Sequence, residues 1–205
     1  MNNQSKLIYS ALSDAISMNG NASLIVSGGS SPIPIFNDLS KVDLDWSKVY
    51  ISLVDDRVVS SDSIHSNENM LNKHLLINNA SNANFISLKS EPKKVLEINR
   101  PFDVMFLGMG EDGHFASLFP SMIPKANCFN MSAKPEIIYT EPIGRPCYKR
   151  VSMNLSLIME SKKIILLVSN EKKAFIVNEA YENKLLPIHF LLTQQRAKIE
   201  IVKAY

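Results

Sequence analysis

Short apolar runs alternate along this chain with stretches in which apolar residues return every three or four positions. Leu7, Ile8, Ala11, Leu12, Ala15 and Ile16 lie at helical spacing and Asn19-Gly20 stops them, so the pattern predicts an opening amphipathic helix. Ala22 to Val26 run apolar into Ser27-Gly28-Gly29-Ser30-Ser31-Pro32. Beyond that proline, Ile33, Phe36 and Leu39 outline one face of a short helix. Val49 to Val54 predict a second strand, which ends in the charged triplet Asp55-Asp56-Arg57, and Ser66 to Leu76 a helix with Met70, Leu71, His74 and Leu75 on its apolar side. Residues 78 to 84 read as a surface loop, Phe85 to Leu88 as a short strand, and Val95 and Ile98 as part of a weak helix.

Val104 to Leu107 form a short apolar run that ends in glycine, as a strand buried on both faces of a parallel sheet does. Beyond Pro120 the prolines at 124, 135, 142 and 146 leave room only for brief elements, among them a strand over Ile137 to Thr140. Lys163 to Val168 predict another buried strand, Ala174, Val177, Ala180 and Tyr181 a helix, Pro187 to Leu192 a last short helix, and Ile199 to Val202 a final strand. Strands alternating with helices over the whole length imply an α/β fold in one domain, residues 1–205. The expected architecture is a three-layer α/β/α arrangement around a mostly parallel, Rossmann-like sheet.

In such sheets ligands bind at the carboxyl ends of the strands. Four polar segments follow four predicted strands: Ser27 to Ser31, Asp55 to Arg57, Gly108 to His114, and Ser169 to Lys173. The first offers free backbone N–H groups and hydroxyls where a helix begins, an anion site without the lysine of a nucleoside-triphosphate loop; the plainer alternative is a turn with Ser31 as a cap. The third combines Gly108, Gly110 and Gly113 with Glu111, Asp112 and His114. Its glycines fit G-x-G-x-x-G, but Glu111 and Asp112 would repel a pyrophosphate, which rules out dinucleotide binding there. An imidazole two residues from a carboxylate suits proton transfer; the plainer alternative is an Asp that caps the next element beside an exposed His.

Composition narrows the partners. The chain has 205 residues, 45% hydrophobic and 20% charged, with a net charge of +2 and a pI near 8.4. That is ordinary globular composition with no basic block, so neither nucleic acid nor an anionic membrane is an expected partner, whereas a small anionic substrate is compatible. No signal-like or membrane-length apolar segment occurs, and a cytoplasmic protein is expected. Cys128 and Cys147 read as ordinary thiols, and His65, His74 and His189 as surface or packing residues, with no metal site implied.

Taken together, these segments resemble the 6-phosphogluconolactonases of the glucosamine-6-phosphate isomerase/deaminase superfamily. Leu107 to Pro120 is similar, almost residue for residue, to that family's signature Leu-Gly-Met-Gly-x-Asp-Gly-His-x-Ala-Ser-Leu-Phe-Pro. Ser27 to Pro32 resembles its phosphate loop, Asp55-Asp56-Arg57 its Asp-Glu-Arg, Arg150 to Met153 its Arg-hydrophobic-Thr-hydrophobic segment, and Lys173-Ala174 the Lys-Ala that opens a helix. The chain departs from the pattern at Ser31, Asp56, Phe115 and Asn170 and lacks an Asp in its last strand; Phe115, beside His114, is expected to reshape the pocket wall.

The resemblance implies hydrolysis of 6-phospho-D-glucono-1,5-lactone to 6-phosphogluconate in the oxidative pentose phosphate pathway, with a small phosphorylated sugar lactone as partner and no cofactor or metal. His114 would be the general base and Asp112 its support. Gly28, Gly29, Ser30, Ser31, Asp55, Arg57, Gly110, Arg150 and Lys173 would bind substrate. The competing members of the superfamily, deaminases of glucosamine 6-phosphate, need a Glu where this chain has Phe119, and a phenyl ring transfers no proton. A non-catalytic sugar-phosphate-binding protein is the other alternative. Nothing in the sequence bears on oligomeric state.

Overall fold

The structure, a computed structural model, describes residues 1–204. In chain order its elements are α1 (Asn3–Asn19), β1 (Ala22–Val26), α2 (Ile33–Leu39), β2 (Val49–Leu53), β3 (Asp55–Arg57), α3 (Asn67–His74), β4 (Asn84–Phe85) and α4 (Pro92–Glu97). Then follow β5 (Phe102–Leu107), α5 (Ala126–Phe129), β6 (Ile137–Tyr139), β7 (Arg150–Met153), α6 (Leu155–Ile158), β8 (Ser161–Val168), α7 (Glu171–Ala180), α8 (Ile188–Leu192) and β9 (Lys198–Lys203).

Six strands form one sheet in the order β4-β2-β1-β5-β8-β9, and every pairing in it is parallel. All their carboxyl ends therefore open on the same side. The interior strands are the continuous apolar runs: β1 is buried at all five positions, and Val104 to Leu107 of β5 and Ile164 to Val168 of β8 are buried as well. Helix α1 lies against β1 and β5 through its buried Ile8, Leu12 and Ala15, the amphipathic face that its spacing predicts. The chain runs outward from β1 through β2 to β4, and from β5 through β8 to β9 in the other direction. The order thus reverses between β1 and β5, which leaves a crevice above their carboxyl ends.

The α/β/α expectation holds, with one addition. A second, three-stranded antiparallel sheet, β3-β7-β6, stands beside the first. Asp55 to Arg57, read from sequence as a charged loop, is one of its strands, and so is Arg150 to Met153, for which no strand is predicted. Val54 is the pivot between the sheets: its N–H donates to Val26 in the parallel ladder at 2.9 Å, and its carbonyl accepts from Met153 N at 2.9 Å. Buried charge hides β3 from a hydrophobicity pattern. Asp56 is fully buried and accepts from the backbone N–H of Asn67 (2.6 Å), Arg57 (2.7 Å) and Glu68 (3.2 Å), from Ser66 Oγ (3.0 Å), and from Lys89 Nζ (3.0 Å). One carboxylate thereby pins the start of α3 to β3. Smaller differences lie at the edges, where β4 is two residues long and ends at Phe85 rather than spanning Phe85 to Leu88. No helix among the described residues is long and apolar enough to cross a membrane.

Candidate active site

A cavity of about 290 Å³ opens at the switch point between β1 and β5, at the lower end of the range for small-molecule sites. Ser27 to Pro32, which follow β1, form one side, and Gly108 to Gly110 and His114, which follow β5, form another. The small antiparallel sheet contributes Asp55, Arg57 and Arg150, and Lys173 enters from the first turn of α7. Two of the four predicted loops, Ser27 to Ser31 and Gly108 to His114, converge as loops; the Asp55 to Arg57 segment reaches the same cavity as a strand, and the Ser169 to Lys173 segment through the first turn of α7.

One imidazole, that of His114, faces this cavity with its ring held in place. Its Nδ1 lies 2.5 Å from Asp112 Oδ1, and the same oxygen accepts from the His114 backbone N–H at 3.2 Å. Partial burial pushes the Asp112 carboxyl up, but the bonds and charge of His114 outweigh it and hold the carboxyl below its usual range. An ionised carboxylate only accepts, so Nδ1 carries the proton and Nε2 is left as the basic nitrogen. Asp112 itself does not line the cavity and meets the ring from behind. Gly110 is dictated by the approach of this pair. A Cβ there would fall 2.2 Å from the imidazole Nδ1 and Cε1 and 2.7 Å from Asp112 Oδ1, contacts that no side chain tolerates.

The imidazole also stacks on Phe119, with ring centroids 4.4 Å apart and planes inclined by 24°. This corrects the expectation for Phe115, which is fully buried, meets Phe129 edge-on and does not line the cavity. The pleat turns consecutive side chains to opposite sides at this point, since Met109 bridges Phe115 and Phe115 bridges Leu118. The aromatic wall of the site is Phe119.

Opposite in character is the basic wall. Arg57 donates from Nη1 to the His65 carbonyl (2.9 Å) and to Asn67 Oδ1 (3.1 Å), while its buried Nε has no protein partner among the described residues. Asn67 in turn donates to the Asp55 carbonyl at 2.9 Å, and its Oδ1 fills the space, 2.0 Å away, that a Cβ on Gly28 would take. Asp55 is buried and accepts from Ser117 Oγ at 2.5 Å. Burial raises its carboxyl pKa against the lowering effects of Ser117, Arg57 and Arg150. Burial likewise lowers the Arg150 and Lys173 values; the guanidinium nonetheless stays charged. Lys173 donates from Nζ to Ser169 Oγ at 3.0 Å.

Along the glycine loop, the backbone N–H groups of Gly28, Gly29, Ser30 and Ser31 have no protein acceptor among the described residues. They and four cationic side chains, Arg57, Arg145, Arg150 and Lys173, surround a space whose one lining carboxyl group is Asp55. Such a cavity favours an anion.

Every candidate from the sequence, Gly28, Gly29, Ser30, Ser31, Asp55, Arg57, Gly110, His114, Arg150 and Lys173, lines this cavity, and Asp112 adjoins it through His114. Asn67 and Arg145, which are not among the sequence candidates, also line it. Asn67 is a helix residue by pattern, and only its place after the Ser66 cap hints at a buried role. Arg145 sits among prolines where sequence spacing predicts nothing. The remaining histidines are structural: His65 packs at 5.4 Å against Tyr148, His74 pairs with Asn37, and His189 is buried against the Ala180 carbonyl. Among the described residues no group of three or more His, Cys, Asp or Glu side chains is arranged to hold a metal.

Known proteins resemble this chain in sequence and fold. Residues 1–200 match the family described as glucosamine-6-phosphate isomerases/6-phosphogluconolactonase. The chain is 34% identical over 211 residues to a 6-phosphogluconolactonase of Neisseria meningitidis, covering 96% of this chain and 91% of that protein. It is 35% identical over 195 residues to one of Helicobacter pylori, covering 89% and 83%. The crystal structure of a 6-phosphogluconolactonase from Shewanella baltica superposes with a TM-score of 0.87 at 34% identity, over 98% of this chain and 91% of that one. At 20% identity, a 6-phosphogluconolactonase from Trypanosoma brucei has the same fold, with a TM-score of 0.81 over 98% and 90%. By the family match over nearly its whole length and by these relatives, the chain belongs to the glucosamine-6-phosphate isomerase/6-phosphogluconolactonase family.

Proposed function

We propose that the protein, as one lactonase domain over residues 1–205, hydrolyses 6-phospho-D-glucono-1,5-lactone to 6-phosphogluconate, the lactone-opening step of the oxidative pentose phosphate pathway. The observation that carries this reading is the meeting, in one cavity, of an Asp112-backed imidazole and a wall of cationic groups and free backbone N–H donors. The names of the relatives support it from outside the geometry.

In this reading His114 Nε2 takes a proton from a water as that water's oxygen attacks the lactone carbonyl carbon. Asp112 holds Nδ1–H in place and stabilises the imidazolium that forms. Backbone N–H groups of a glycine loop that have no protein acceptor stabilise the developing oxyanion. The tetrahedral intermediate then collapses with cleavage of the bond to the ring oxygen, which receives the proton from the imidazolium. Ring opening yields a free hydroxyl and a carboxylic acid that ionises. The phosphate, remote from the reacting carbonyl, uses its binding energy for position. Gly28, Gly29, Ser30, Ser31, Arg57 and Lys173 serve that end directly and Arg150 from within the cavity wall, with Asp55 balancing the charge of the two arginines.

Phe119 weighs against the isomerase/deaminase branch of the family. It lies against the imidazole where that reaction would require a second proton-transfer group, and it has none to offer. Turnover of freshly generated lactone, coupled to 6-phosphogluconate dehydrogenase and corrected for spontaneous opening, tests the proposal. Acceleration well above that background is expected. A rate equal to background, or release of ammonia from glucosamine 6-phosphate, overturns it.

A further inference from the structure

Arg150 lines the cavity, but two of its nitrogens are already committed. It is 3% exposed, donates from Nε to the Ile143 carbonyl at 3.1 Å and from Nη2 to the Pro146 carbonyl at 3.3 Å, and lies over the Phe119 ring at 5.2 Å. Both acceptors belong to the loop between β6 and β7. Ile143 and Tyr148 close that loop by a reciprocal backbone pair at 3.0 and 3.4 Å, and Tyr148 leans on His65. Gly144 makes the seat possible. Its φ is +83°, and a Cβ there would fall 2.6 Å from Arg150 Nη2 and 2.9 Å from Phe119 Cζ. The loop is therefore moored from beneath by a buried guanidinium, against the same ring that stacks on His114.

At the tip of this moored loop stands Arg145. It is exposed, lines the cavity and has no hydrogen-bond or ion-pair partner among the described residues. A guanidinium offers five donors in a rigid fork suited to phosphate oxygens. Resting on the sugar-phosphate reading above, we propose that Arg145 is a substrate-contacting residue that binds the phosphate group, and that Arg150 is a positioning residue acting through it by holding the loop. A cation fixed to a seated loop loses less freedom on binding than one on a mobile loop, which is the advantage of such mooring.

The test uses Arg145→Gln, with Lys6→Gln, an exposed cation on α1, as a control for net charge. Arg145→Gln should raise KM for the phosphorylated lactone and Kd for 6-phosphogluconate by about tenfold or more, while kcat stays within about threefold. The preference for phosphorylated over unphosphorylated gluconolactone should fall by a similar factor. Lys6→Gln should change none of these. If Arg145→Gln leaves KM and Kd within about twofold of the wild type, the contact is refuted. Titration with 6-phosphogluconate separates this from the assigned reaction: lost affinity in a protein without lactonase turnover keeps the contact and rejects the hydrolase. The role of Arg150 is read from a double-mutant cycle with Arg150→Lys. Its loss of affinity should nearly vanish in the Arg145→Gln background, whereas an equal loss in both backgrounds means that Arg150 binds the phosphate itself.

Discussion

The glycine loop that carries His114 and the wall built from β3, β7 and α3 border the same cavity, yet they are assembled in opposite ways. In the loop, base and orienting carboxylate stand two residues apart, and Gly110 between strand and histidine leaves them room to meet. The wall depends on pairings between distant segments. Arg57 sits opposite Arg150 in an antiparallel ladder, α3 is pinned to β3 by Asp56, and Asn67 fits against Gly28 in the loop after β1. On the proposed reading, the chemistry of this site is a local device and its substrate recognition a tertiary one. Changes in the loop should strike turnover, and changes in the wall should strike affinity.

The largest break in that division is His114→Ala, which should lower kcat by about 10³-fold with the fold retained, as judged by circular dichroism. Asp112→Asn leaves a group of the same shape that no longer fixes the imidazole tautomer or stabilises its cation, and kcat should fall by about 10²-fold with KM little changed. Arg57→Gln acts on the other side of the comparison. Steady-state kinetics should give a KM raised about tenfold at nearly constant kcat, the loss of a charge-assisted contact.

The smallest effect is on stability. Burial raises the folded-state pKa of Asp55 above its unfolded value, so the folded state holds that proton more tightly. The stability this adds is present below the ordinary carboxylate range and is lost as pH rises through the raised value. Denaturant titrations should therefore show the wild type losing stability relative to Asp55→Asn as pH rises through that window. A constant difference across it would remove Asp55 as a buried titrating group of the wall.

The same contrast explains what the sequence disclosed. Strands β1, β5 and β8 are apolar runs bounded by glycine or polar residues, and a two-faced buried strand must look like that. Asp112, Gly110 and His114 were legible because their geometry is set within a few residues. Strands β3 and β7 were not, for their charged side chains are satisfied by partners that only the tertiary fold supplies; β3 is three charged residues, and the alternation of β7 spans only four positions. Phe115 faces the core and not the cavity wall expected of it, because its single-residue bridges to Met109 and Leu118, invisible to periodicity, turn its ring away. Arg145 owes its position to carbonyls that Arg150 reaches from beneath, a relation no spacing encodes.

The central claim, that one region performs the chemistry and the other holds the substrate, is tested most directly by titrating His114→Ala with 6-phosphogluconate beside an assay of its turnover. The account predicts binding within about threefold of the wild type together with loss of nearly all lactone hydrolysis above the spontaneous rate. Turnover retained in this variant, or product binding lost along with turnover in a folded protein, would contradict it.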